Sequence, residues 1–228
     1  LDHYIVLGNS GLRVSRIALG GMTFGKPWVG TWAAGDAGWG MEQADVDAVL
    51  ASYVEAGGNF IDTSDHYGQG ASEDAIGRFM AERKLRDRLV VCTKAGFIGE
   101  DGNPNAGGSG RKNLMRSVEG SLRRLKTDYI DLFLLHVWDG LTPVDEIART
   151  LDDLARSGKA RHVGLSNVPV SFAARFQTLA GLRALEPAIA MQFEYSLVER
   201  TIELEHIPLC RDFGTGVMAY GALASGFL

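Results

Sequence analysis

An α/β fold built on a parallel sheet is what this sequence predicts, on two observations. Seven apolar strand-like runs alternate with six amphipathic helical stretches along almost the whole chain, with no composition break to mark a domain boundary. The strand-like runs are apolar at consecutive positions, the pattern of strands buried on both faces and joined by helices. A third observation selects the architecture. Polar residues stand where these strands end, and in a closed (β/α)8 barrel all such ends converge on one face. An open dinucleotide-binding sheet would need G-x-G-x-x-G straight after its first strand. Here Gly20-Gly21-Met22-Thr23-Phe24-Gly25 lacks the tight first spacing and runs into a Gly/Trp-rich loop. One barrel domain over residues 1–228 is therefore expected.

The elements follow in order. Tyr4 to Leu7 is a short apolar opening turned by Gly8-Asn9-Ser10-Gly11, and Arg16-Ile17-Ala18-Leu19 reads as the first buried strand. Val46, Val49, Leu50, Tyr53 and Val54 recur at helical spacing until Gly57-Gly58 stops them. Asn59 to Asp62 is the second strand, followed by a helix marked by Ile76, Phe79 and Met80. Leu89 to Lys94 is the third, with Leu114, Val118, Leu122 and Leu125 on one face of the helix after it. Tyr129 to Leu135 is the fourth, before a helix carrying Val144, Ile147, Leu151 and Leu154. His162 to Leu165 precedes a helix from about Pro169 to Leu179. Ile189 to Gln192 precedes a helical stretch interrupted by Pro208, and Gly216 to Ala219 closes the series.

Composition narrows the function classes. A net charge of −5 gives no positive field for nucleic acid or anionic lipid, and 46% hydrophobic with 22% charged residues is the profile of a globular chain. No apolar run approaches the ~20 residues of a membrane span, and Leu1-Asp2-His3-Tyr4 lacks the start of a signal peptide. Cys92 and Cys210 alone make neither a disulfide framework nor a four-cysteine metal site. A cytoplasmic protein without nucleic-acid, membrane or metal partners is expected; oligomeric state is left open.

The polar strand-end residues are Asp62, Lys94, His136, Ser166-Asn167, Gln192 and Tyr220, spaced by 32, 42, 30, 26 and 28 residues, about one βα unit each. Ser and Asn at such ends also serve as helix caps, but Lys, Gln, His and Tyr are poor caps and costly to bury without partners. Asp62 and Lys94, on adjacent strands, are expected to form an ion pair, and Tyr67 lies one turn beyond Asp62. A phenol beside an ammonium is expected to have its pKa lowered toward a range useful for proton transfer. With His136 as a second donor, the group suits a carbonyl oxygen that becomes an alkoxide.

At these residues the chain resembles the aldo-keto reductase family. The likeness is carried by Asn59-Phe60-Ile61-Asp62-Thr63-Ser64-Asp65-His66-Tyr67-Gly68, Thr93-Lys94, Leu134-Leu135-His136, Lys159 to Asn167, Met191 to Ser196 and Ala219 to Ala224, in order along the chain. It looks closest to the bacterial and potassium-channel-β-like branches. The resemblance implies that Asp62, Tyr67, Lys94 and His136 are the catalytic tetrad, with Tyr67 the general acid. It implies a nicotinamide cofactor, NADPH more than NADH, and reduction of aldehydes or ketones by hydride transfer. Ser166, Asn167 and Gln192 match residues holding the carboxamide, and Tyr220 the ring stacked on the nicotinamide. Gly21, Met22 and Asp62 fall beside the cofactor, and Gly221, Ala222, Leu223 and Ala224 in the pyrophosphate loop. Where the family more often has Trp-Ser-Pro-Leu, this chain has Tyr220-Gly221-Ala222-Leu223.

The same resemblance makes the opening residues, Tyr4 to Arg13, a hairpin plugging the barrel bottom, and places the eighth strand, last helix and 2′-phosphate-binding segment past Leu228. Barrels of this kind take about 250 residues or more, so the chain is expected to be part of a longer protein, trimmed at both ends. The glycine-rich loops 22–42 and 96–111 form a candidate substrate rim, with Trp28, Trp32, Phe97 and Trp138 as candidate pocket lining. Two other readings stand beside the reductase: a non-catalytic or weakly catalytic nicotinamide-sensing subunit, and a Schiff-base aldolase on Lys94. A metal hydrolase using Asp62, His66 and His136 is weaker, because the first strand carries no His-x-His.

Overall fold

The computed structural model describes residues 1–28, 39–97 and 102–228. Seven parallel strands form one curled sheet in sequential order, a partial (β/α)8 barrel. They are β3 (Leu19–Gly20), β6 (Phe60–Asp62), β7 (Val90–Ala95), β8 (Ile130–Leu135), β9 (Ala160–Ser166), β10 (Ala188–Glu194) and β11 (Gly216–Tyr220). Between them run α1 (Gln43–Glu55), α2 (Ala71–Arg83), α3 (Arg111–Leu125), α4 (Val144–Arg156), α5 (Val170–Arg183) and α6 (His206–Phe213). The strands β3 and β11 are the outer members of the sheet.

Strand alternation divides the core in two. Phe60, Val90, Cys92, Leu132, Leu134, Ala190 and Met218 line the concave side. Ile61, Val91, Phe133, Leu135, Val163, Leu165, Met191 and Phe193 pack outward with the helices. A small antiparallel hairpin, β1 (Tyr4–Val6) and β2 (Arg13–Ser15), sits under the concave side at the strand N-termini and inserts Leu7 and Val14 into it. Gly8, at φ +56°, makes this approach feasible, because a Cβ there would lie 2.0 Å from the carbonyl oxygen of Ile189.

Three details differ from the sequence reading. The first strand is not Arg16–Leu19 but Leu19–Gly20, paired with Ile61 and Asp62. The Ile17 carbonyl is instead taken by the Tyr53 and Ser15 hydroxyls, at 2.7 and 3.0 Å, and Ile17 is exposed. Pro208 does not interrupt a helix: it lies in the first turn of α6, where a missing N–H costs nothing. The Gly/Trp-rich loop contains a further antiparallel pair, β4 (Gly25–Trp28) and β5 (Trp39–Met41).

Candidate active site

The alternation that sends Phe60, Cys92, Leu134, Ala190 and Met218 into the concave side also fixes what stands above them. Two positions further along each strand come Asp62, Lys94, His136, Gln192 and Tyr220, and Ser166 follows Gly164 in the same way on β9. The six strand-end residues thus form a polar rim over an apolar floor.

At its centre Lys94, fully buried, donates from Nζ to Asp62 Oδ2 at 2.8 Å, to the Thr63 carbonyl at 2.7 Å and to the Tyr67 hydroxyl at 3.3 Å. Three acceptors use the three donors of an ammonium. Gln192 Nε2 donates to the other Asp62 oxygen at 3.0 Å, tying β10 to β6. Tyr67 stands on a short turn, Tyr67–Gly70, and meets the His136 ring edge-on at 5.7 Å. His136 hangs from the Ala95 carbonyl by its backbone N–H, 2.8 Å, and its Nδ1 lies 3.0 Å from Ser64 Oγ. Phe97 packs on the same imidazole at 4.4 Å and stacks on His66 at 4.7 Å.

The charges follow from this packing. Burial works against the Lys94 ammonium, but Asp62 beside it, then Tyr67 and Cys92, overcome that and hold its pKa above the ordinary lysine range. A lysine so held is a poor nucleophile, which argues against Schiff-base chemistry. Burial, then Lys94 and His66, push His136 well below its usual value, so its ring is neutral. The expectation for Tyr67 is corrected. Its pKa is raised, because burial outweighs the pull of Lys94 and Asp62 adds to the rise. The phenol therefore stands protonated near neutral pH, as a proton donor must.

Asn167, at φ +49°, donates from Nδ2 to Ser166 Oγ at 2.9 Å and to the His136 carbonyl at 3.2 Å, and accepts from the Tyr220 hydroxyl at 2.9 Å. Ser166, Asn167 and Gln192 put a hydroxyl and two primary amides on neighbouring strand ends, a donor and acceptor set that fits a carboxamide. Tyr220 keeps 41% of its surface exposed at the rim, as a stacking ring requires. Gly21 sits at the end of β3, its N–H on the Asp62 carbonyl at 2.7 Å, with Met22 half-buried beside it. Gly221, Ala222 and Leu223 are exposed and Ala224 is half-buried, in a turn closed by Ala224 N–H to the Gly221 carbonyl at 2.8 Å.

Trp138 leans on Phe172 at 5.1 Å and gives its indole N–H to the Thr142 carbonyl. Trp32 and the Trp28 side chain lie outside the described residues. The described end of the second glycine-rich loop is tied down: Gly108 N–H reaches the Phe97 carbonyl, and Ser109 is held by Asp139 and Val137. Sequence reasoning missed Ser64, Thr63 and the Glu73–Arg124 pair behind the site. Among the described residues no group of three or more His, Cys, Asp or Glu is placed to hold a metal ion, and no helix is long and apolar enough to cross a membrane.

Comparisons with known proteins identify the family. A model of the aldo/keto reductase family matches residues 16–228. An aryl-alcohol dehydrogenase of Pestalotiopsis microspora is 35% identical over 231 residues, covering 98% of this chain and 58% of that protein. A norsolorinic acid reductase of Aspergillus flavus is 35% identical over 229 residues, covering 98% and 58%. The aldo-keto reductase ausK of Aspergillus calidoustus is 34% identical over 233 residues, covering 99% and 57%. This chain therefore spans a little over half the length of these relatives. They are fungal, which corrects the expected bacterial and potassium-channel-β-like branch.

Proposed function

The chain belongs to the aldo/keto reductase family, and we propose from this that it reduces a carbonyl to an alcohol with NADPH rather than NADH. A carbonyl-reducing oxidoreductase is supported by the names of its relatives, which are reductases and dehydrogenases. NADPH is the family's usual donor and is proposed on that ground. When bound, a reduced nicotinamide supplies the hydride; Ser166, Asn167 and Gln192 would hold its carboxamide, Tyr220 its ring face, and the Gly221–Ala224 turn its phosphates.

The observation that carries the reading is the Lys94 ammonium, fully buried and bridging Asp62 and Tyr67 at 2.8 and 3.3 Å. Tyr67 and His136 direct hydrogen bonds at the carbonyl oxygen. As charge develops there, Tyr67 gives up its proton, and the phenolate left behind is stabilised by Lys94, whose own charge Asp62 maintains. The raised pKa of the resting phenol keeps the acid loaded, and the adjacent cation lowers the cost of unloading it.

Phe97, partly exposed and packed on both His66 and His136, suits the flat face of an aromatic substrate. The relatives named for an aryl alcohol and for norsolorinic acid support an aromatic carbonyl as the substrate class. A small molecule is thus the partner, and a cytoplasmic location is consistent with two free, buried cysteines.

Tyr67→Phe is the test. It deletes the acid while keeping the ring, and kcat for carbonyl reduction is expected to fall about 10³-fold with nicotinamide affinity unchanged. Near-normal turnover would remove Tyr67 from the role.

A further inference from the structure

His136 is useful to a carbonyl oxygen only as a donor, and a neutral imidazole has one N–H to give. Which nitrogen carries it depends on what the other one meets. Here Nδ1 meets the Ser64 hydroxyl at 3.0 Å, and both side chains are buried. That hydroxyl has one proton and three acceptors in reach. One lone pair is already used, because the His66 backbone N–H donates to it at 3.1 Å. The Lys94 carbonyl lies 3.2 Å away and already receives the Asp65 N–H. Asp65 Oδ1 is further, at 3.3 Å. Nδ1 is the nearest acceptor.

We propose that Ser64 is a positioning residue that fixes the tautomer of His136: its hydroxyl donates to Nδ1, so the ring proton resides on Nε2 and faces the substrate oxygen. In the opposite tautomer the ring would donate to Ser64, and an Nε2 lone pair would confront the carbonyl oxygen, repelling the atom it should bind. Tyr67, Lys94, His66 and Asp65 are the charged or titratable groups around this pair, and the low pKa of the ring keeps it neutral, so one nitrogen is always left to accept. Ser64 sits in the segment between Asp62 and Tyr67, so one short stretch of chain supplies the acid, the carboxylate and the group that orients the histidine.

The consequence for catalysis rests on the carbonyl-reductase reading, whereas the tautomer does not, and the two can be separated. In the full chain labelled with 15N-histidine, ring 15N–1H correlation spectra report each nitrogen, with the His136 signal identified by its loss in His136→Gln. The expected spectrum has Nδ1 unprotonated and Nε2 protonated. Ser64→Ala should shift the population several-fold toward Nδ1–H and lower kcat about tenfold at unchanged nicotinamide affinity. Ser64→Thr, which keeps the hydroxyl, should restore both. A protonated Nδ1 in the native protein, or an unchanged tautomer in Ser64→Ala, would overturn the inference. If the native protein turned over no carbonyl, the reading of the site would fail while the spectra still decided the role of Ser64. Should Ser64→Ala not fold, the native spectrum decides.

Discussion

Two buried acid–cation pairs meet β7 at adjacent residues, one through Lys94 and the other through Thr93, and they are built as opposites. On the concave side Lys94 pairs with Asp62 at 2.8 Å; the cation is sealed, with 0% of its side chain exposed, and the acid reaches the rim at 13%. On the helix side Thr93 donates to Glu73 Oε1 at 2.5 Å, and Glu73 pairs with Arg124 at 2.7 Å. There the acid is sealed, at 0%, and the cation reaches outward at 28%. The inner pair spends its third N–H on the Tyr67 hydroxyl, at the mouth. The outer pair is closed by a threonine between α2 and α3. Burial and a strong ion pair are common to both, so neither marks a site by itself. What separates them is where the sealed charge points its last hydrogen bond. They are also mechanically linked, because Arg124 runs beneath the Tyr67 turn: a Cβ on Gly70, at φ +93°, would lie 2.6 Å from Arg124 Cδ.

The sharpest way to break this contrast is to remove each cation in turn. Lys94→Met deletes the ammonium that stabilises the Tyr67 phenolate, and kcat should fall about 10³-fold, or ~4 kcal/mol in barrier. Arg124→Met leaves Glu73 buried without a cation and should cost about 3–5 kcal/mol of stability, a fall of roughly 10 °C in Tm for a chain of this size. Its kcat, measured well below the transition, should stay within about tenfold of native. If the two variants gave the same profile, the division into a working pair and a bracing pair would be wrong.

The inner pair was legible in the sequence and the outer one was not, for physical reasons. Asp62, Lys94, His136, Ser166, Gln192 and Tyr220 recur at about one βα unit, a period that a barrel turns into a ring. Glu73 stands in the first turn of α2, where an acid is ordinarily explained by the helix dipole, and Arg124 lies 51 residues away in the last turn of α3. Nothing local ties them together. The Tyr67 shift was misjudged because a neighbouring charge can be inferred from strand order, whereas the extent of desolvation depends on packing. The first strand was displaced because side-chain hydroxyls from β2 and α1 took the backbone carbonyl that an apolar run alone would give to a sheet.

A smaller effect sharpens the same contrast through pH. Burial already holds Glu73 above the usual carboxylate range, against the opposing pull of Arg124 and Thr93. Without Arg124 the folded pKa rises further above its unfolded value, so the folded state binds that proton more tightly than the unfolded chain does. Stability of Arg124→Met is then greatest below the unfolded pKa, about 4.3 for a glutamate, and is lost as pH rises through the folded pKa. Urea unfolding at pH 5 and pH 8 should show the deficit shrinking at the lower value. Lys94 contributes no slope there, since its raised pKa makes its contribution complete below about 10.4. A deficit in Arg124→Met that did not change with pH would mean that Glu73 finds another cation.

The smallest expected effect belongs to Thr93, the residue that touches both sides of the comparison. Its side chain faces Glu73 while its successor in the chain is Lys94, so it tests whether the pairs act separately. Thr93→Val keeps the shape and removes one hydrogen bond to a buried carboxylate that Arg124 still holds through Nε and Nη2. The expected cost is about 1.5–3 kcal/mol, the range for hydrogen bonds to charged groups, and the lower end applies because the ion pair survives. kcat should not move, because Lys94 Nζ is located by Asp62, the Thr63 carbonyl and Tyr67, none of which Thr93 contacts through its hydroxyl. Steady-state kinetics beside a denaturation curve separate the outcomes. A kcat loss beyond about tenfold, at a stability change this small, would show that the helix-side pair sets the height of Lys94 in the mouth, and that the two are one network crossing the strand.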